Sequence, residues 1–395
     1  MMQEPEDFDI VVIGGGPAGA TAAQTLAMAG RRVLLLDRAG RIKPCGGAVP
    51  PRAIRDFTIP DHLIVARATG AKIVSPKDRQ VMMPIDAGFV GMVDRETFDP
   101  FLRQRAADAG AILRAGLFET ITRDEQGRAL VTYLEREGGA VTVRARGIIG
   151  ADGALSAVAK QTMKRAERTR YVFAYHEIIR APADHADWSA NCCDIFYNAK
   201  LSPDFYGWIF PHGDTASIGT GSAQKGFSLR NAVGDMRAAA GLSDAETIRR
   251  EGAPLPLQPL KIWDNGRDVL LAGDAAGVVA PASGEGIYYA LLSGQIAGET
   301  MDAFCASSDA RVLKSARKRF MKDHGNVFRV LGIMQRFWYT TDNRRERFVA
   351  ICSDPDVQYL TWEAYMNKAL VIAKPGAHMR IFLKNIAHLT GFARA

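Results

Sequence analysis

The chain has 395 residues, of which 47% are hydrophobic and 24% charged, so it has the composition of a globular protein with room for two or three domains. Its five cysteines show no CxxC spacing, which argues against a disulfide framework and against a zinc site. The net charge is +7, and residues 311–395 alone hold 16 Lys and Arg against 6 Asp and Glu. The acidic start is unlike a signal peptide, and no apolar run reaches about 18 residues, so we expect no membrane-spanning segment.

The first 37 residues predict one βαβ unit. A strand is expected at Asp9–Ile13, a helix from Pro17 to Ala29, and a second strand at Arg32–Leu36. The turn Gly14–Gly19 contains the pattern GxGxxG. Its first glycine makes the turn, its second lets a pyrophosphate approach the backbone, and its third allows close helix packing. The helix N terminus offers N–H groups to phosphate, and Asp37 offers a carboxylate to ribose hydroxyls.

Further along the chain the pattern changes twice. Asp94 predicts an N-cap for a helix that ends at Ala109, and a hairpin is expected before Gly150. The region 171–259 is rich in aromatic residues and short alternating stretches, which favour strands. The predicted strands are Ala174–Ile179, Asp194–Tyr197, Tyr206–Phe210 and Ser217–Thr220. After Arg311 the sequence predicts helices only.

Two later segments indicate which dinucleotide is bound. GADGALS (150–156) and LAGDAAG (271–277) each place an Asp at the end of an apolar strand. Together with the first glycine turn they resemble the three fingerprints of the flavoprotein monooxygenase-like family, which includes relatives of p-hydroxybenzoate hydroxylase. The resemblance implies FAD, with Asp274 at the ribityl chain and phosphates, Asp152 near the dinucleotide groove and Arg95 near the phosphates. The cofactor-binding residues that it implies are Gly14, Gly16, Ala18, Gly19, Asp37, Arg38, Cys45, Gly46, Gly47, Arg95, Asp152, Gly273, Asp274, Gly284, Gly286 and Ile287.

The segment 281–286 opens another predicted helix, which extends to Phe304. The positive end of its dipole would face the flavin pyrimidine, where reduced flavin carries negative charge. This is a role for backbone groups. We therefore expect Gly284 and Gly286 to matter more than Glu285.

An aromatic segment, Tyr206-Gly-Trp208-Ile-Phe210-Pro211, is followed after seven residues by Gly219-Thr-Gly221. By alternation its three rings share one face of a strand, which on its own predicts a covered core. The spacing Y-x-W-x-F-P-x(7,8)-G-x-G also resembles the substrate-domain motif of the geranylgeranyl reductase family, which implies an apolar wall for a polyprenyl chain. The two roles are compatible. The implied substrate-binding residues are Tyr206, Trp208, Phe210, Pro211, Gly219 and Gly221.

The loop Lys43-Pro-Cys-Gly-Gly47 resembles the same reductase family, in which it lies beside the isoalloxazine. Its continuation, Ala48–Pro51, resembles the chlorophyll and bacteriochlorophyll branch. A free cysteine is usually a small buried hydrophobe, but the resemblance makes Cys45 a candidate for contact near the reacting bond, with Tyr206 and Trp208 as the other catalytic candidates. The proton donor is not identified: His212, which follows the aromatic motif, is a candidate, although a surface histidine is the favoured interpretation.

The resemblance implies an α/β fold with α+β insertions: a Rossmann-like FAD-binding domain, a mixed β-sheet substrate domain and a helical carboxyl-terminal region. The FAD-binding domain is expected to be discontinuous because its strands return after the aromatic region. The predicted domains are 1–52 with 90–165 and 265–310 for FAD, 53–89 with 166–264 for substrate, and 311–395 for the basic helical region.

The implied activity is the saturation of three double bonds of a geranylgeranyl chain to phytyl, with NADPH or another low-potential donor reducing FAD. The substrate would be geranylgeranyl-bacteriochlorophyll (a prenylated tetrapyrrole), geranylgeranyl diphosphate, or both. Because these are amphiphiles, the basic region predicts peripheral contact of a cytoplasmic protein with a photosynthetic membrane or with pigment-synthesis enzymes, although a solvated helical face would have the same composition. No nucleic-acid-binding module is visible, so no nucleic-acid partner is expected.

Two alternative functions remain open at this point. The first is a flavin-dependent monooxygenase or halogenase on the same scaffold, although Tyr206 and Phe210 depart from the halogenase pattern W-x-W-x-I-P. The second is a non-catalytic flavin-binding redox protein. The seven histidines show no metal-ligand spacing, so no metal site is expected.

Overall fold

Two large β-sheets organise the chain, with a small three-stranded sheet between them and helices around them. The computed structural model describes residues 4–38, 40, 42–86, 88–136, 138–163, 170–182 and 188–368. The first sheet forms a Rossmann-like core. The second is a separate layer with one aromatic face turned towards that core, so the fold places a dinucleotide site and an apolar surface next to each other.

The first sheet has a parallel part and an antiparallel part. Parallel pairing gives the order β8-β2-β1-β10-β16, and the far ends of the long strands β8 and β10 pair with β9 in an antiparallel meander. Strands β1, β2 and β16 are buried on both faces, which explains their continuous apolar sequences, whereas the edge strand β8 is largely exposed. The strands are β1 (Glu6–Ile13), β2 (Val33–Asp37), β8 (Ile112–Arg123), β9 (Ala129–Glu135), β10 (Ala140–Gly150) and β16 (Val269–Leu271).

The second sheet has seven strands in the order β15-β11-β14-β13-β12-β5-β6. Its strands are β5 (Gly70–Val74), β6 (Gln80–Pro84), β11 (Val172–Arg180), β12 (Cys192–Phe196), β13 (Gly207–His212), β14 (Thr215–Ser222) and β15 (Thr247–Leu255). One face packs through Ile179, Ile209 and Ile218 against helix α5 (Leu229–Ala239). The opposite face carries the aromatic residues. The small sheet consists of β3 (Ala48–Val49), β4 (Ile64–Ala68) and β7 (Val90–Val93).

The helices pack most closely around the first glycine turn. Helix α1 follows β1 directly and lies against α6, where a Cβ on Gly294 would overlap the Ala18 carbonyl and a Cβ on Gly298 would lie 3.0 Å from the Ala22 carbonyl oxygen. The helices other than α5 are α1 (Pro17–Met28), α2 (Pro51–Asp56), α3 (Arg95–Asp108), α4 (Ala157–Thr162), α6 (Ile287–Ser307), α7 (Lys314–Trp338), α8 (Asp342–Ile351) and α9 (Pro355–Asn367). Short 3-10 helices occupy Asp61–Leu63, Gly273–Ala276 and Ala310–Leu313.

The structure confirms the predicted fold class. Asp94 caps α3 as expected, accepting a hydrogen bond from the Glu96 N–H. The strands of the two large sheets come from the segments assigned to the two main domains, while the domain limits themselves stay a prediction. Strand β8 and helix α5 were not anticipated. Across the described ranges, no helix combines the length and apolar character needed to cross a bilayer.

Candidate functional site

The glycine turn after β1 leaves open space at the N terminus of α1. A Cβ on Gly14, whose φ is +104°, would lie 2.6 Å from the Ala151 carbonyl carbon, and one on Gly19 would overlap the Gly14 carbonyl oxygen. Gly16 is different, because a Cβ there would meet only the Arg95 guanidinium, at 4.0 Å. Within the described part of the chain, no side chain caps this helix N terminus. Free N–H groups beside open space fit a pyrophosphate.

Two arginines of α3 reach this turn. The buried Arg95 guanidinium donates two hydrogen bonds of 2.7 Å to the Asp99 carboxylate, which fixes its orientation. Burial alone would lower the pKa of Arg95, but the Asp99 charge and hydrogen bonds outweigh burial and raise it. Arg103 donates to the Gly15 carbonyl at 3.1 Å. A permanent, oriented cation therefore borders the space beside Gly16.

Asp37 lies at the end of β2, as expected for a ribose-binding carboxylate. Its Oδ2 accepts a hydrogen bond of 2.6 Å from the Gly15 N–H, so the carboxylate is held against the glycine turn. Arg38, the next residue, is exposed. Asp37 thus lies beside the open space that α1 borders, whereas nothing in this geometry ties Arg38 to it.

Asp274 lies in the 3-10 helix that follows β16. Its neighbour Gly273 has φ +63°, and a Cβ there would be 2.7 Å from the Cβ of Ala18 on α1. The buried Asp274 carboxylate forms an ion pair of 2.5 Å with the Lys43 ammonium. It also lies near the start of α6, with Oδ1 3.8 Å from the position of a Cβ on Gly286. Asp274 therefore joins three elements at the predicted flavin position.

Asp152 is held by its own turn. One carboxylate oxygen accepts from the Ser156 hydroxyl at 2.5 Å, and the other accepts from the N–H groups of Ala157 and Val158 at 2.7 and 3.1 Å. Burial raises the pKa of Asp152, and these hydrogen bonds oppose the shift. The carboxylate thus caps α4, while its Cα lies 2.9 Å from the position of a Cβ on Gly14. A contact of Asp152 with the cofactor stays a prediction.

The loop that opens α6 contains a buried ion pair. Gly284 has φ +65°, and Gly286 is the N-cap, followed by the buried Ile287. Glu285 accepts a hydrogen bond of 2.8 Å from the Tyr288 N–H through Oε1, and its Oε2 lies 2.9 Å from the Lys368 ammonium. Both charged side chains are less than 5% exposed. The Glu285 carboxylate therefore fixes the loop, although the sequence led us to expect a smaller role for it than for Gly284 and Gly286.

Lys368 follows α9 and reaches the α6 loop from the carboxyl-terminal side. Burial lowers the pKa of Lys368, and the Glu285 carboxylate opposes this shift. The ammonium also lies 3.9 Å from the ring centroid of Tyr365. An ion pair and a cation–π contact thus compensate this buried charge, and they connect α9 to the loop.

The aromatic face of the second sheet explains the spacing of its motif. The rings of Tyr206, Trp208 and Phe210 follow one another at 5.9 and 6.1 Å between centroids, and all three are buried. Trp208 is directly opposite Gly219 in the β13–β14 pair, and a Cβ on Gly219 would overlap its ring. A Cβ on Gly221 would lie 3.1 Å from the Phe205 ring. The two glycines therefore make room for aromatic rings.

The loop Lys43–Gly47 joins the aromatic face to the dinucleotide side. The position of a Cβ on Gly46 is 3.3 Å from the Phe210 ring and 4.0 Å from the Trp208 indole nitrogen. At its other end Lys43 pairs with Asp274. The half-buried Cys45 thiol accepts a hydrogen bond of 3.3 Å from the Gly47 N–H. The structure thus brings together the cofactor and substrate residues that the sequence predicted separately.

His212, for which the sequence favoured a surface position, is half-buried. Its ring packs against the loop, where a Cβ on Gly47 would overlap Nε2, and its Nδ1 lies 3.3 Å from the Phe210 carbonyl oxygen. Burial lowers the pKa of His212. The imidazole therefore supports the loop from the side of β13. No motif in the loop Lys43–Gly47 predicts its contact with His212.

The parallel sheet, the glycine-lined turn and the facing aromatic sheet define the fold of the FAD-dependent flavoproteins. Residues 9–380 match the family model described as lycopene cyclase protein, and the chain belongs to this family. It also belongs to the family of geranylgeranyl diphosphate reductases, which are oxidoreductases. It is 54% identical to the geranylgeranyl diphosphate reductase of Rhodobacter capsulatus, in an alignment covering 97% of this chain and 98% of that protein.

Solved structures agree on the fold. A geranylgeranyl bacteriochlorophyll reductase-like protein from Thermoplasma acidophilum superposes with a TM-score of 0.82 at 22% identity, covering 95% of this chain and 99% of that one. A flavin-dependent brominase superposes with a TM-score of 0.75 at 17% identity, covering 98% and 100%. The scaffold is therefore common to reductases and halogenases.

Proposed function

We propose that the chain is a reductase that binds FAD at the glycine turn and saturates double bonds of a geranylgeranyl chain lying along the aromatic face. One observation carries this proposal. The loop Lys43–Gly47 contacts Asp274 at one end and the rings of Trp208 and Phe210 at the other, so one short segment lies between the predicted cofactor and substrate sites. The reductase relatives support the same assignment.

The residues present fit FAD. The uncapped N terminus of α1 and the oriented Arg95 suit the pyrophosphate, and Asp37 suits the ribose hydroxyls. The start of α6 offers a positive dipole end to the pyrimidine. Reduced FAD would supply the hydride for an alkene. Because such an alkene is a poor acceptor, the contribution of the protein is chiefly to position it and to exclude water.

The aromatic face fits a prenyl chain, which offers apolar surface and few hydrogen-bonding groups. The Tyr206 hydroxyl donates a hydrogen bond of 2.5 Å to the Ser283 carbonyl oxygen in the loop before α6. Its ring is therefore fixed between the sheet and that loop. Together with Trp208 and the Cys45 thiol, it would border the reacting bond.

The proposed product is the phytyl chain, formed by three successive saturations. The relative from R. capsulatus is named for the free diphosphate, and the structural neighbour from T. acidophilum for the pigment ester, so both substrate forms belong to the proposal. NADPH is the proposed electron donor. Each saturation adds two hydrogens to the chain, one as hydride and one as proton.

The first experiment supplies electrons without assuming a donor. The purified protein is incubated anaerobically with dithionite-reduced FAD and either geranylgeranyl-bacteriochlorophyll or geranylgeranyl diphosphate, and the products are followed by mass spectrometry. We expect stepwise gains of two hydrogens that stop at the phytyl product, with Asp274→Ala as a control that lacks bound flavin. Unchanged substrate in both assays would contradict the proposal.

Because the flavin-dependent brominase has the same fold, an oxygen-dependent reaction is the alternative function to test. A monooxygenase or halogenase would consume oxygen in proportion to substrate turned over, whereas the reductase would not. We expect an oxygen electrode to record no substrate-dependent uptake beyond slow flavin reoxidation. Stoichiometric uptake would transfer the assignment to the class that includes the brominase.

We further propose that α7 contacts an anionic membrane surface. The helix exposes Val330 and Ile333, and Arg329 is exposed beside them. Apolar and cationic groups on one helix surface suit the interface of an anionic bilayer. Flotation with anionic vesicles should recover the protein, and both zwitterionic vesicles and the Ile333→Glu variant should recover less. Equal recovery in all three would contradict membrane contact through α7.

A further inference from the structure

A row of polar residues crosses the second sheet beside the aromatic face. In register, Glu251 of β15 is opposite His176 of β11, His176 is opposite Gly219 of β14, and Gly219 is opposite Trp208 of β13. Side chains at directly paired positions point to the same face, so these residues form one line across four strands. Ser217, two residues before Gly219, shares that face.

Hydrogen bonds connect this line end to end. The Trp208 indole N–H donates to the Ser217 hydroxyl at 3.2 Å, and the same hydroxyl lies 3.0 Å from His176 Nδ1. His176 Nε2 lies 3.1 Å from Glu251 Oε2. The other Glu251 oxygen pairs with Arg249. His176 and Ser217 are buried, so each of these polar contacts compensates the desolvation of the groups involved.

One arrangement of protons satisfies every group in the line. The indole has only a donor, so it must give its proton to Ser217, whose own proton is then free for His176 Nδ1. His176 then carries its proton on Nε2 and donates it to the Glu251 carboxylate. The four groups form a directed chain that begins at Trp208 and ends at a carboxylate held by Arg249.

The chain acts on the residue that packs against the cofactor-side loop. Gly219 lacks a side chain, so the Trp208 ring and the His176 side chain lie over its strand, with their ring centroids 6.4 Å apart. The Trp208 indole nitrogen, which donates to Ser217, is also 4.0 Å from the position of a Cβ on Gly46. Rotation of this indole would therefore change the surface beside Cys45.

We propose that Glu251, His176 and Ser217 are positioning residues that fix the Trp208 indole against the Cys45–Gly47 loop and so align the prenyl chain for reduction. The alignment of substrate rests on the function proposed above. The fixed orientation of the indole does not, because the hydrogen bonds that impose it lie within the chain itself.

The test combines single and double variants. Ser217→Ala should retain FAD and lower kcat for the prenyl substrate about tenfold, with partly reduced products accumulating, because a small misalignment of reacting groups is costly. Trp208→Phe keeps a ring and removes the N–H donor, so adding Ser217→Ala to it should cause no further loss. Additive losses would overturn the proposal. The matched control is Ser222→Ala, which removes a buried hydroxyl on the opposite face of the same strand and should leave kcat unchanged.

Glu251 offers a second route if Ser217→Ala fails to fold. Glu251→Gln keeps an acceptor for His176 Nε2, whereas Glu251→Leu does not, so activity should be retained in the first and reduced in the second. Equal effects of the two changes would contradict the directed chain. The flavin spectrum and the FAD content should be those of the unchanged protein in both.

A measurement without turnover separates this proposal from the proposed function. The fluorescence of Trp208 is obtained by subtracting the emission spectrum of the Trp208→Phe variant from that of the protein that contains Trp208. This removes the contribution of the four other tryptophans. We expect Ser217→Ala to shift this difference spectrum, in the FAD-free and the FAD-loaded protein alike, and Ser222→Ala to leave it in place. An unshifted spectrum would overturn the positioning of Trp208. A shifted spectrum in a protein that reduces no prenyl substrate would support the positioning and contradict the proposed function.

Discussion

Glycines serve opposite purposes in the two halves of this site. At Gly14 and Gly19, a Cβ would strike backbone atoms of the glycine turn and the segment after β10, whereas at Gly219 and Gly221 it would strike the side chains of neighbouring strands. Backbone atoms in a packed turn cannot move without loss of the turn, but a side chain can change its rotamer. The cofactor side is therefore rigid to substitution, while the aromatic side can be reshaped without loss of the fold.

The largest expected effect is that of Gly19→Ala. Its Cβ would overlap the Gly14 carbonyl oxygen, so the turn and the start of α1 must separate. We expect the free energy of unfolding to fall by more than about 3 kcal/mol, with loss of bound flavin. Denaturant unfolding and the flavin absorbance of the purified protein measure the two effects. Gly110→Ala is a control, since a Cβ there meets nothing within 4 Å although its φ of +107° adds some strain. If the Gly19→Ala protein is stable and retains its flavin, the glycine turn is no more sensitive to substitution than the aromatic side, and the distinction between them is wrong.

The second largest effect is a pH dependence of stability that arises in α7. His324 is buried, and burial, followed by the Arg52 charge, lowers its pKa to about 4 from 6.5, while the Asp323 charge raises it by less. Between these values the unfolded chain binds the extra proton, so stability rises with pH from about 4 to about 6.5. The contribution is about 3 kcal/mol or less. We expect His324→Phe to flatten this part of the stability profile, and a profile identical to that of the unchanged protein would contradict it.

Asp274→Ala tests the contact between the halves from the cofactor side. It leaves the Lys43 ammonium without its carboxylate, close to the predicted phosphates and flavin. We expect FAD affinity to fall by tenfold or more, equivalent to about 1.4 kcal/mol or more, because the ribityl hydroxyls would lose the carboxylate that accepts their hydrogen bonds. Asp268→Ala removes another paired carboxylate far from the loop and serves as a control for general destabilisation. Unchanged flavin content in Asp274→Ala would contradict the fingerprint assignment.

Gly219→Ala tests the adaptable half. Its Cβ would displace the Trp208 ring, which can rotate, and would lie 2.6 Å from the Cβ of His176, which cannot, so we expect a stability loss of about 1–3 kcal/mol with FAD retained and prenyl reduction impaired. Thermal unfolding, flavin content and turnover measure the three quantities. Gly234→Ala, in a helix where a Cβ meets nothing within 4 Å, is the control. Loss of flavin in Gly219→Ala would show that the two halves are not separable.

The smallest effect is expected for Cys45→Ala. The change removes the thiol that accepts the Gly47 N–H, in a loop that Arg95, Lys43 and the aromatic rings also hold. We expect flavin content to be retained and alkene reduction to slow by about tenfold, equivalent to about 1.4 kcal/mol in the barrier. Cys352→Ala removes a buried thiol elsewhere and provides the control. Unchanged turnover in Cys45→Ala would remove this residue from the reaction.

Local patterns predicted much of the fold. The βαβ unit, the Asp94 cap and the strands around Trp208 follow from periodicity and capping over a few residues, and the structure confirms them. Helix α5 was missed because it lies within a strand-rich region, although Ser228 as N-cap and the spacing of Val233 and Met236 are helical signals.

The polar partners of the site could not be predicted in the same way. Lys43 meets Asp274 across 231 positions of sequence, and His176 meets Glu251 only because β11 and β15 pair in one register. A register that differed by one residue would place these side chains on opposite faces. Such contacts depend on the assembled sheets, and no short pattern in this sequence encodes them.

The buried pair of Glu285 and Lys368 has a consequence for the synthesis of the chain. Glu285 leaves the ribosome well before Lys368, together with the whole Rossmann-like core. Until α9 has emerged, the buried carboxylate lacks its counter-charge, and an unpaired buried charge costs about 3–5 kcal/mol. We therefore expect the loop at α6 to be completed late in translation, so that a nascent chain acquires its core first and its capacity to retain flavin only with the final helices.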